Sequence, residues 1–116
     1  MNREAAEQRG RGAETLACWY LRLHGWHILA RRARVPGGEV DIVARRGRTL
    51  AFVEVKARAT ENAAAFALDD WRLRRVAVAA ERLAPRYMRE GDDLRIDAIF
   101  MVPRRWPKHL ANVWQG

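Results

Sequence analysis

The spacing of apolar and polar residues along the chain predicts two helices and five strands. Apolar residues recur at i, i+3, i+4 and i+7 over residues 3–24, which predicts a first helix that ends at Gly25. Its start lies either at the beginning of this range or nearer Gly12. A second helix is predicted from Asp69 or Asp70 to Tyr87, with Pro85 ending or kinking it near Leu83. The predicted strands are 26–35, 39–45, 49–58, 94–102 and 109–114.

This order, αβββαββ, predicts an α/β fold with a central mixed sheet flanked by helices, in one domain over residues 1–116. Residues 59–68 are predicted to form a loop with short helical character that acts as a flap over a site. Trp26, Ile28 and Ala30 are expected on one side of the first strand. Trp19 and Trp26 are expected in the core, whereas Trp106 is the better surface candidate.

Charged residues alternate with apolar ones in the second and third strands. Because side chains alternate between the faces of a strand, Glu39 and Asp41 share a face, and so do Glu54 and Lys56. A two-residue loop at 47–48 places Asp41 opposite Glu54, and a loop at 46–47 places Glu39 opposite Glu54. Both registers bring all four groups to one face, whereas a three-residue loop separates them unless a bulge restores the parity.

Opposed carboxylates destabilise a hairpin unless they share a proton or bind a cation. Carboxylate oxygens suit a hard ion such as Mg²⁺ or Mn²⁺, and a lysine nearby can hold a water or stabilise charge on a phosphate. Lys56 is one of only two lysines among 22 basic residues. Asp41, Glu54 and Lys56 therefore suit metal-assisted phosphodiester hydrolysis. The alternative is a pair of surface strands with solvated charges and a Glu39–Lys56 ion pair.

Composition narrows the chemistry further. The single cysteine, Cys18, leaves neither an internal disulfide nor a cysteine zinc site, and the absence of serine excludes a serine nucleophile. No apolar run is long enough to span a bilayer and the start is polar, so we expect a cytoplasmic protein without a membrane partner. The net charge of +8 favours a polyanion, most commonly nucleic acid.

Further candidates come from the first helix and from the arginines. Glu14 lies at the edge of the apolar stripe, where it either faces the sheet or remains solvated. Arginines on the first strand and near the turn could bind phosphates, or they could protect a sheet edge from pairing. The full candidate set for nucleic-acid binding is Arg31, Arg32, Arg34, Arg45, Arg46, Arg48, Arg58, Arg72 and Arg75.

Four segments resemble the YraN-like family of bacterial proteins, and the likeness covers nearly the whole chain. They are 12–14 (GAE), 37–45 (GGEVDIVAR), 52–58 (FVEVKAR) and 95–99 (RIDAI). The spacing from Asp41 to Glu54 and Lys56 also resembles the PD-(D/E)xK nuclease superfamily, which has the restriction-endonuclease-like fold. Within that superfamily, the chain is most similar to archaeal Holliday junction resolvases.

The resemblance implies a role for each matching residue. Asp41 and Glu54 would bind Mg²⁺ or Mn²⁺ together with the backbone carbonyl of Val55. Lys56 would be the catalytic lysine and Glu14 the first-helix acid, with Glu39 in a supporting position. The proline that precedes the aspartate in the superfamily is absent, and an arginine stands at position 72 where the family often has lysine.

Two functions follow as expectations. The first is a Mg²⁺-dependent endonuclease that hydrolyses phosphodiester bonds of structured or branched DNA and works as a homodimer. The second is a non-catalytic nucleic-acid-binding or partner-binding module, in which Trp71, Trp106 and Trp114 stack on bases or fill an interface. The carboxylates argue for the first function, because they would repel a phosphate in the absence of a metal.

Overall fold

The computed structural model describes the backbone of residues 3–116 and the side chains of residues 11–116. The helices are α1 (Arg3–Leu23), α2 (Glu61–Ala67) and α3 (Asp70–Tyr87). The strands are β1 (His27–Val35), β2 (Gly38–Arg46), β3 (Thr49–Ala57), β4 (Asp93–Met101) and β5 (Lys108–Leu110). The predicted mixed α/β architecture is confirmed, and the one added element is α2 within the segment expected to be a loop.

The five strands form one mixed sheet in the order β1-β2-β3-β4-β5. β3 and β4 are parallel, and the other neighbours are antiparallel. A parallel pair needs a crossover connection, and α2 and α3 supply it. Thr60 caps α2 and Asp69 caps α3, each through a side-chain oxygen that accepts a hydrogen bond from the backbone N–H of the third helical residue.

The register of the β2–β3 hairpin matches the first of the two predicted registers. Arg46 pairs with Thr49 and Ile42 with Val53, so residues 47 and 48 form a two-residue loop. Gly47 has φ +59°, the left-handed conformation that tight hairpin turns favour. Ile42 and Val53 are the paired residues farthest from the turn. The next position on each strand is a carboxylic acid, Asp41 on β2 and Glu54 on β3.

The two long helices cover opposite faces of the sheet. Ala17, Cys18 and Leu21 of α1 pack in one core cluster with residues of β2, β3 and β4. Leu73, Val76, Ala79 and Ala80 of α3 pack in a second cluster on the other face. None of the helices within residues 3–116 is long and apolar enough to cross a membrane.

Helix α3 lies directly on the start of β2. A Cβ atom on Gly38 would lie 2.4 Å from the backbone oxygen of Arg75 and 2.8 Å from the backbone nitrogen of Ala79. Only glycine permits this approach, because any side chain would overlap the helix backbone. The contact fixes the N-terminal half of α3 beside Glu39 and Asp41.

Two local predictions were wrong for reasons of packing. A register shift between Ile28 and Ala30 sends Ile28 to the α1 side of the sheet and Ala30 to the α3 side, so the two do not share a face. Trp19 is 57% exposed, because α1 buries the neighbouring stripe of Glu14, Ala17, Cys18 and Leu21.

Two element ends also differ from prediction. Helix α3 continues through Pro85 to Tyr87. Because proline has no backbone N–H, the carbonyl of Glu81 loses one hydrogen bond. Glu81 is exposed, so a water molecule can bind to that carbonyl instead. Strand β5 has three residues instead of six, because the backbone turns to φ +55° at Asn112.

Candidate functional site

A cleft of about 310 Å³ opens where the pairing between β2 and β3 ends. It is lined by residues of α1, β1, β2, β3 and α3. Four of them are carboxylic acids and four are arginines. The lining residues are Arg11, Glu14, Arg32, Arg34, Glu39, Val40, Asp41, Glu54, Val55 and Arg72. None belongs to α2, so the segment 59–68 does not line the cleft, and its action as a flap stays a prediction.

Asp41 lies at the point where the two strands separate. Its Oδ2 accepts a hydrogen bond of 2.7 Å from the backbone N–H of Val55, in place of the strand pairing that has just ended. Burial, followed by the negative charge of Glu54, raises the pKa of Asp41 to about 7, although the Val55 N–H opposes this shift. Protonated and ionised forms of the Asp41 carboxyl therefore coexist near neutral pH, and a cation beside it would favour the ionised form.

Glu54 is 1% exposed and contacts two cations. Its Oε1 lies 2.9 Å from Lys56 Nζ and 3.0 Å from a terminal nitrogen of Arg72. Lys56 is itself 5% exposed and does not line the cleft. The lysine thus pairs with Glu54 on its own strand, and the Glu39–Lys56 ion pair considered from the sequence is not formed.

Arg72 joins two of the carboxylates across the cleft. Its guanidinium donates to Glu54 and lies 3.6 Å from Glu39, which in turn lies 3.6 Å from Arg34. Although partial burial lowers the pKa of Arg72, the charges of Glu54 and Glu39 raise it above its ordinary value. Arg72 therefore neutralises charge at the place where a bound cation would do so.

Glu14 faces the sheet and not the solvent. It is 6% exposed, and its Oε1 lies 3.2 Å from Arg31 Nε and 3.3 Å from Arg32 Nε. Arg32 has φ +48°, an uncommon conformation for a residue with a side chain. Of the two interpretations left open by the sequence, the structure therefore selects the one in which Glu14 belongs to the cleft.

The oxygen atoms of Asp41 and Glu54 are of the kind that Mg²⁺ and Mn²⁺ prefer. Within residues 11–116, no group of three or more His, Cys, Asp or Glu side chains is close enough to hold a metal ion. A metal at this site would therefore need ligands besides side chains, such as the carbonyl of Val55, water or substrate oxygen. Val55 lines the cleft, and its role as a ligand stays a prediction.

The candidate arginines divide into two groups. Arg32, Arg34 and Arg72 line the cleft, and Arg31 adjoins it through Glu14. Arg75 lies over the ring of Trp71 one helical turn after that residue. Arg31, Arg32, Arg34 and Arg72 are therefore the candidates that the fold brings to the site, whereas Arg75 is not one of the lining residues.

Arg45 is not available to bind nucleic acid, which corrects the sequence-based assignment. It is 7% exposed, and its two terminal nitrogens lie 2.9 and 2.7 Å from the carboxylate oxygens of Asp92. The guanidinium also donates to the backbone oxygen of Tyr87. Arg45 instead connects β2 to the segment that follows α3.

The arginines near the hairpin turn and at the end of β3 also lie apart from the cleft. Arg46 stacks 4.6 Å from the ring centroid of Trp26 and donates to the backbone oxygen of His24. It lies roughly 15 Å along β2 from Asp41, and Arg48 is exposed in the turn beyond it. Arg58 follows the last residue of β3 and donates to the carbonyl of Ala57.

Sequence reasoning missed two features. The first is Arg11, which lines the cleft one helical turn before Glu14.

The second is a cluster around Asp97 of β4, away from the cleft. Asp97 is fully buried and accepts hydrogen bonds from Arg95, from His109 and from the backbone N–H of Asn112. Although burial raises it, these hydrogen bonds bring the pKa of Asp97 below its ordinary value. The alternate charges at 95 and 97 were the available signal, and this cluster holds the C-terminal segment in place.

Comparison with known proteins gives a consistent result. The model of the uncharacterised protein family UPF0102 matches residues 13–101. A UPF0102 protein of Sphingopyxis alaskensis is 61% identical over 115 residues, which cover 99% of both chains. One from Rhizorhabdus wittichii is 56% identical over 100% of this chain and 99% of its own, and one from Erythrobacter litoralis is 50% identical over 99% of both. The predicted resemblance to the YraN-like family is confirmed, and the likeness to the nuclease superfamily stays a prediction.

Proposed function

We propose that this chain, which belongs to the uncharacterised protein family UPF0102, is a metal-dependent endonuclease that hydrolyses phosphodiester bonds of structured or branched DNA. One observation carries the proposal. Asp41 and Glu54 meet in a cleft where two strands separate, with Lys56 on Glu54 and arginines around the rim. The fold proposed with this function is the restriction-endonuclease-like one, and the proposed location is the cytoplasm.

The raised pKa of Asp41 supports a cation at this position. Burial is the larger cause of this raised pKa, and repulsion between the two carboxylates is the second; this repulsion persists although Glu54 already has two cationic neighbours. A divalent ion held by Asp41 and Glu54, with the Val55 carbonyl as a further ligand, would remove it. When bound, Mg²⁺ or Mn²⁺ would polarise the phosphate and lower the pKa of the attacking water.

The remaining cleft residues fit substrate binding. Arg32 and Arg34 point their charge into the same cleft as the carboxylates, so they can bind the phosphates on either side of the scissile bond. Lys56 is buried against Glu54 and does not line the cleft, so holding the attacking water or stabilising charge on the phosphate requires its ammonium group to turn from Glu54 toward the cleft. Among these residues no side chain forms a base-reading pattern, so the expected selectivity is for DNA structure.

Arg72 has one proposed role before a metal binds and another afterwards. In the described structure it neutralises Glu54 and Glu39. Once a cation takes over that role, the guanidinium is released to bind a phosphate of the incoming strand. Metal and substrate binding would thereby be coupled through one side chain.

The same contacts give some support to the second function, a non-catalytic module that binds nucleic acid or a protein partner. Lys56 and Arg72 neutralise Glu54 with no cation required, as they would in a protein that never binds a metal. A homodimer, expected if two strands are cut together, stays a prediction in either case.

The test is cleavage of fluorescent four-way junction, flap, single-stranded and duplex DNA with Mg²⁺, Mn²⁺ or EDTA. We expect metal-dependent cutting that Asp41→Ala lowers by roughly a thousandfold, because the metal supplies several kcal/mol of transition-state stabilisation. Asp93→Ala is the matched control, since Asp93 is exposed and lies outside the cleft lining. Binding by the wild-type protein without cutting under any metal would support the non-catalytic module instead.

A further inference from the structure

Two exposed tryptophans have nearly the same surroundings but different positions relative to the cleft. Trp71, near the start of α3, is 60% exposed, and the guanidinium of Arg75 lies 5.3 Å from its ring centroid. Trp19, on the outer side of α1, is 57% exposed, and the guanidinium of Arg22 lies 5.2 Å from its ring centroid. Because exposure and cation–π stacking are alike at Trp71 and Trp19, a difference between their variants in DNA binding would report the position of the tryptophan relative to the cleft.

Trp71 does not line the cleft but lies beside it, at what we call its rim, because its neighbour along α3 is a lining residue. The next residue, Arg72, lines the cleft and binds Glu54, and adjacent Cα atoms are only about 3.8 Å apart. One turn further along α3, the backbone of Arg75 approaches Gly38, whose neighbour Glu39 also lines the cleft.

The chemistry of this rim fits a nucleobase. A guanidinium stacked on one face of an indole leaves the other face for a second flat group, and base–aromatic stacking tolerates every base. The cationic side chains nearby, Arg72 and Arg75, would attract the phosphates attached to that base. An apolar protein partner would gain little from a tryptophan on which the guanidinium of Arg75 is already stacked.

Only certain nucleotides can stack on such a ring. In a fully paired duplex both faces of each base are covered by its neighbours, whereas an unpaired base offers a free face. We propose that Trp71 stacks on an unpaired base beside the scissile phosphate, so that the site takes DNA with single-stranded nucleotides next to the cleavage point. This inference deepens the proposed nuclease function and rests on it.

The test is equilibrium binding in EDTA, where no metal-dependent cutting occurs. Fluorescence anisotropy would compare a single strand, a flap and a fully paired duplex of the same sequence. We expect Trp71→Ala to weaken binding of the single strand and the flap at least about fivefold, with duplex binding changed less than about twofold. Trp71→Phe should retain most of the affinity, and Trp19→Ala should bind all three like the wild-type protein.

A direct readout of stacking accompanies the affinities. A 2-aminopurine in the unpaired part of the flap should lose fluorescence when the wild-type protein binds, and Trp71→Ala should abolish this loss. Because Trp71 is exposed, its replacement should leave the fold intact, which circular dichroism can verify. Equal losses for Trp71→Ala and Trp19→Ala, or an equal loss on duplex, would overturn the assignment.

The design separates the two proposals. If the wild-type protein binds unpaired DNA through Trp71 but never cuts with Mg²⁺ or Mn²⁺, the nuclease fails and the stacking site stands. If it cuts, and Trp71→Ala cuts the flap as well as the wild type does, the stacking site fails and the nuclease stands.

Discussion

At the scale of single residues, the cleft is a balance between carboxylates and guanidinium groups. Glu14, Glu39 and Glu54 each contact at least one arginine, whereas burial and the charge of Glu54 raise the pKa of Asp41. Such a site is compensated before any ligand binds. Ligands must therefore displace existing ion pairs, which lowers affinity but increases selectivity for a metal and a phosphate that arrive together.

Arg72→Ala tests this balance. Removing the guanidinium leaves Glu54 and Glu39 with less compensation, so we expect Mn²⁺ to bind about five- to tenfold more tightly while DNA binds more weakly. Titration calorimetry with Mn²⁺ alone measures the first change, and anisotropy in EDTA measures the second. Arg74→Ala is the control, because Arg74 is exposed on α3 and is not part of the cleft lining. Unchanged or weaker Mn²⁺ binding in Arg72→Ala would show that Arg72 does not compete with a cation.

The carboxylate pair could be identified from the sequence because it depends on two local rules. The parity of side chains along a strand and the length of the turn place Asp41 and Glu54 together, and both are short-range properties. The burial of Arg45 could not be identified in this way. Its partner Asp92 is far along the chain, and only the return of the chain after α3 brings the two together.

At the scale of elements, the position of α3 on β2 sets the geometry of the cleft. The sequence predicted the helix and its cap but not the close contact at Gly38, because a glycine after a turn is equally expected for the turn alone. Likewise, the sequence of α1 did not indicate that Trp19 would face the solvent. Such choices depend on packing between elements and not on local propensity.

Gly38→Ala should separate α3 from β2. The added methyl group would overlap the backbone of Arg75 and Ala79, so we expect a loss of about 2–4 kcal/mol in the free energy of unfolding. Urea denaturation followed by circular dichroism measures it. Gly12→Ala is the control, since a Cβ there has no heavy atom within 4 Å and should stabilise α1 by about 0.5–1 kcal/mol. Similar stability of the two variants would contradict the tight contact.

At the scale of the whole molecule, the ionised carboxylate of Asp41 lowers the free energy of unfolding. The pKa of Asp41 is about 7 in the folded chain and near 4 in the unfolded chain. Between these values the folded state binds more protons than the unfolded state, so stability falls as the pH rises from 4 to 7. Above pH 7 the full penalty is present.

Asp41→Asn should therefore stabilise the protein at pH 8 by about 1–2 kcal/mol, because the amide is never charged and can still accept from the Val55 N–H. The gain should become smaller toward pH 5, where the wild-type carboxyl is protonated in the folded chain. Thermal denaturation at both pH values measures the difference. A variant that is less stable at pH 8, or equally stabilised at both pH values, would contradict the raised pKa.

The parallel pairing of β3 with β4 has a consequence for how the chain assembles. The β2–β3 hairpin is local and can form soon after it is synthesised, whereas Thr49 of β3 must wait for Asp93 of β4, on the far side of both crossover helices. The loop between β3 and β4 is long, so its closure is slow. Until β4 pairs with β3, one edge of β3 is left unpaired and exposed. During synthesis, Asp41 and Glu54 also leave the ribosome before Arg72. In the nascent hairpin Lys56 is then the cationic partner of Glu54, and the sheet edge is open to edge-to-edge aggregation. The arrival of α3 completes the charge compensation through Arg72 before β4 can cover the edge.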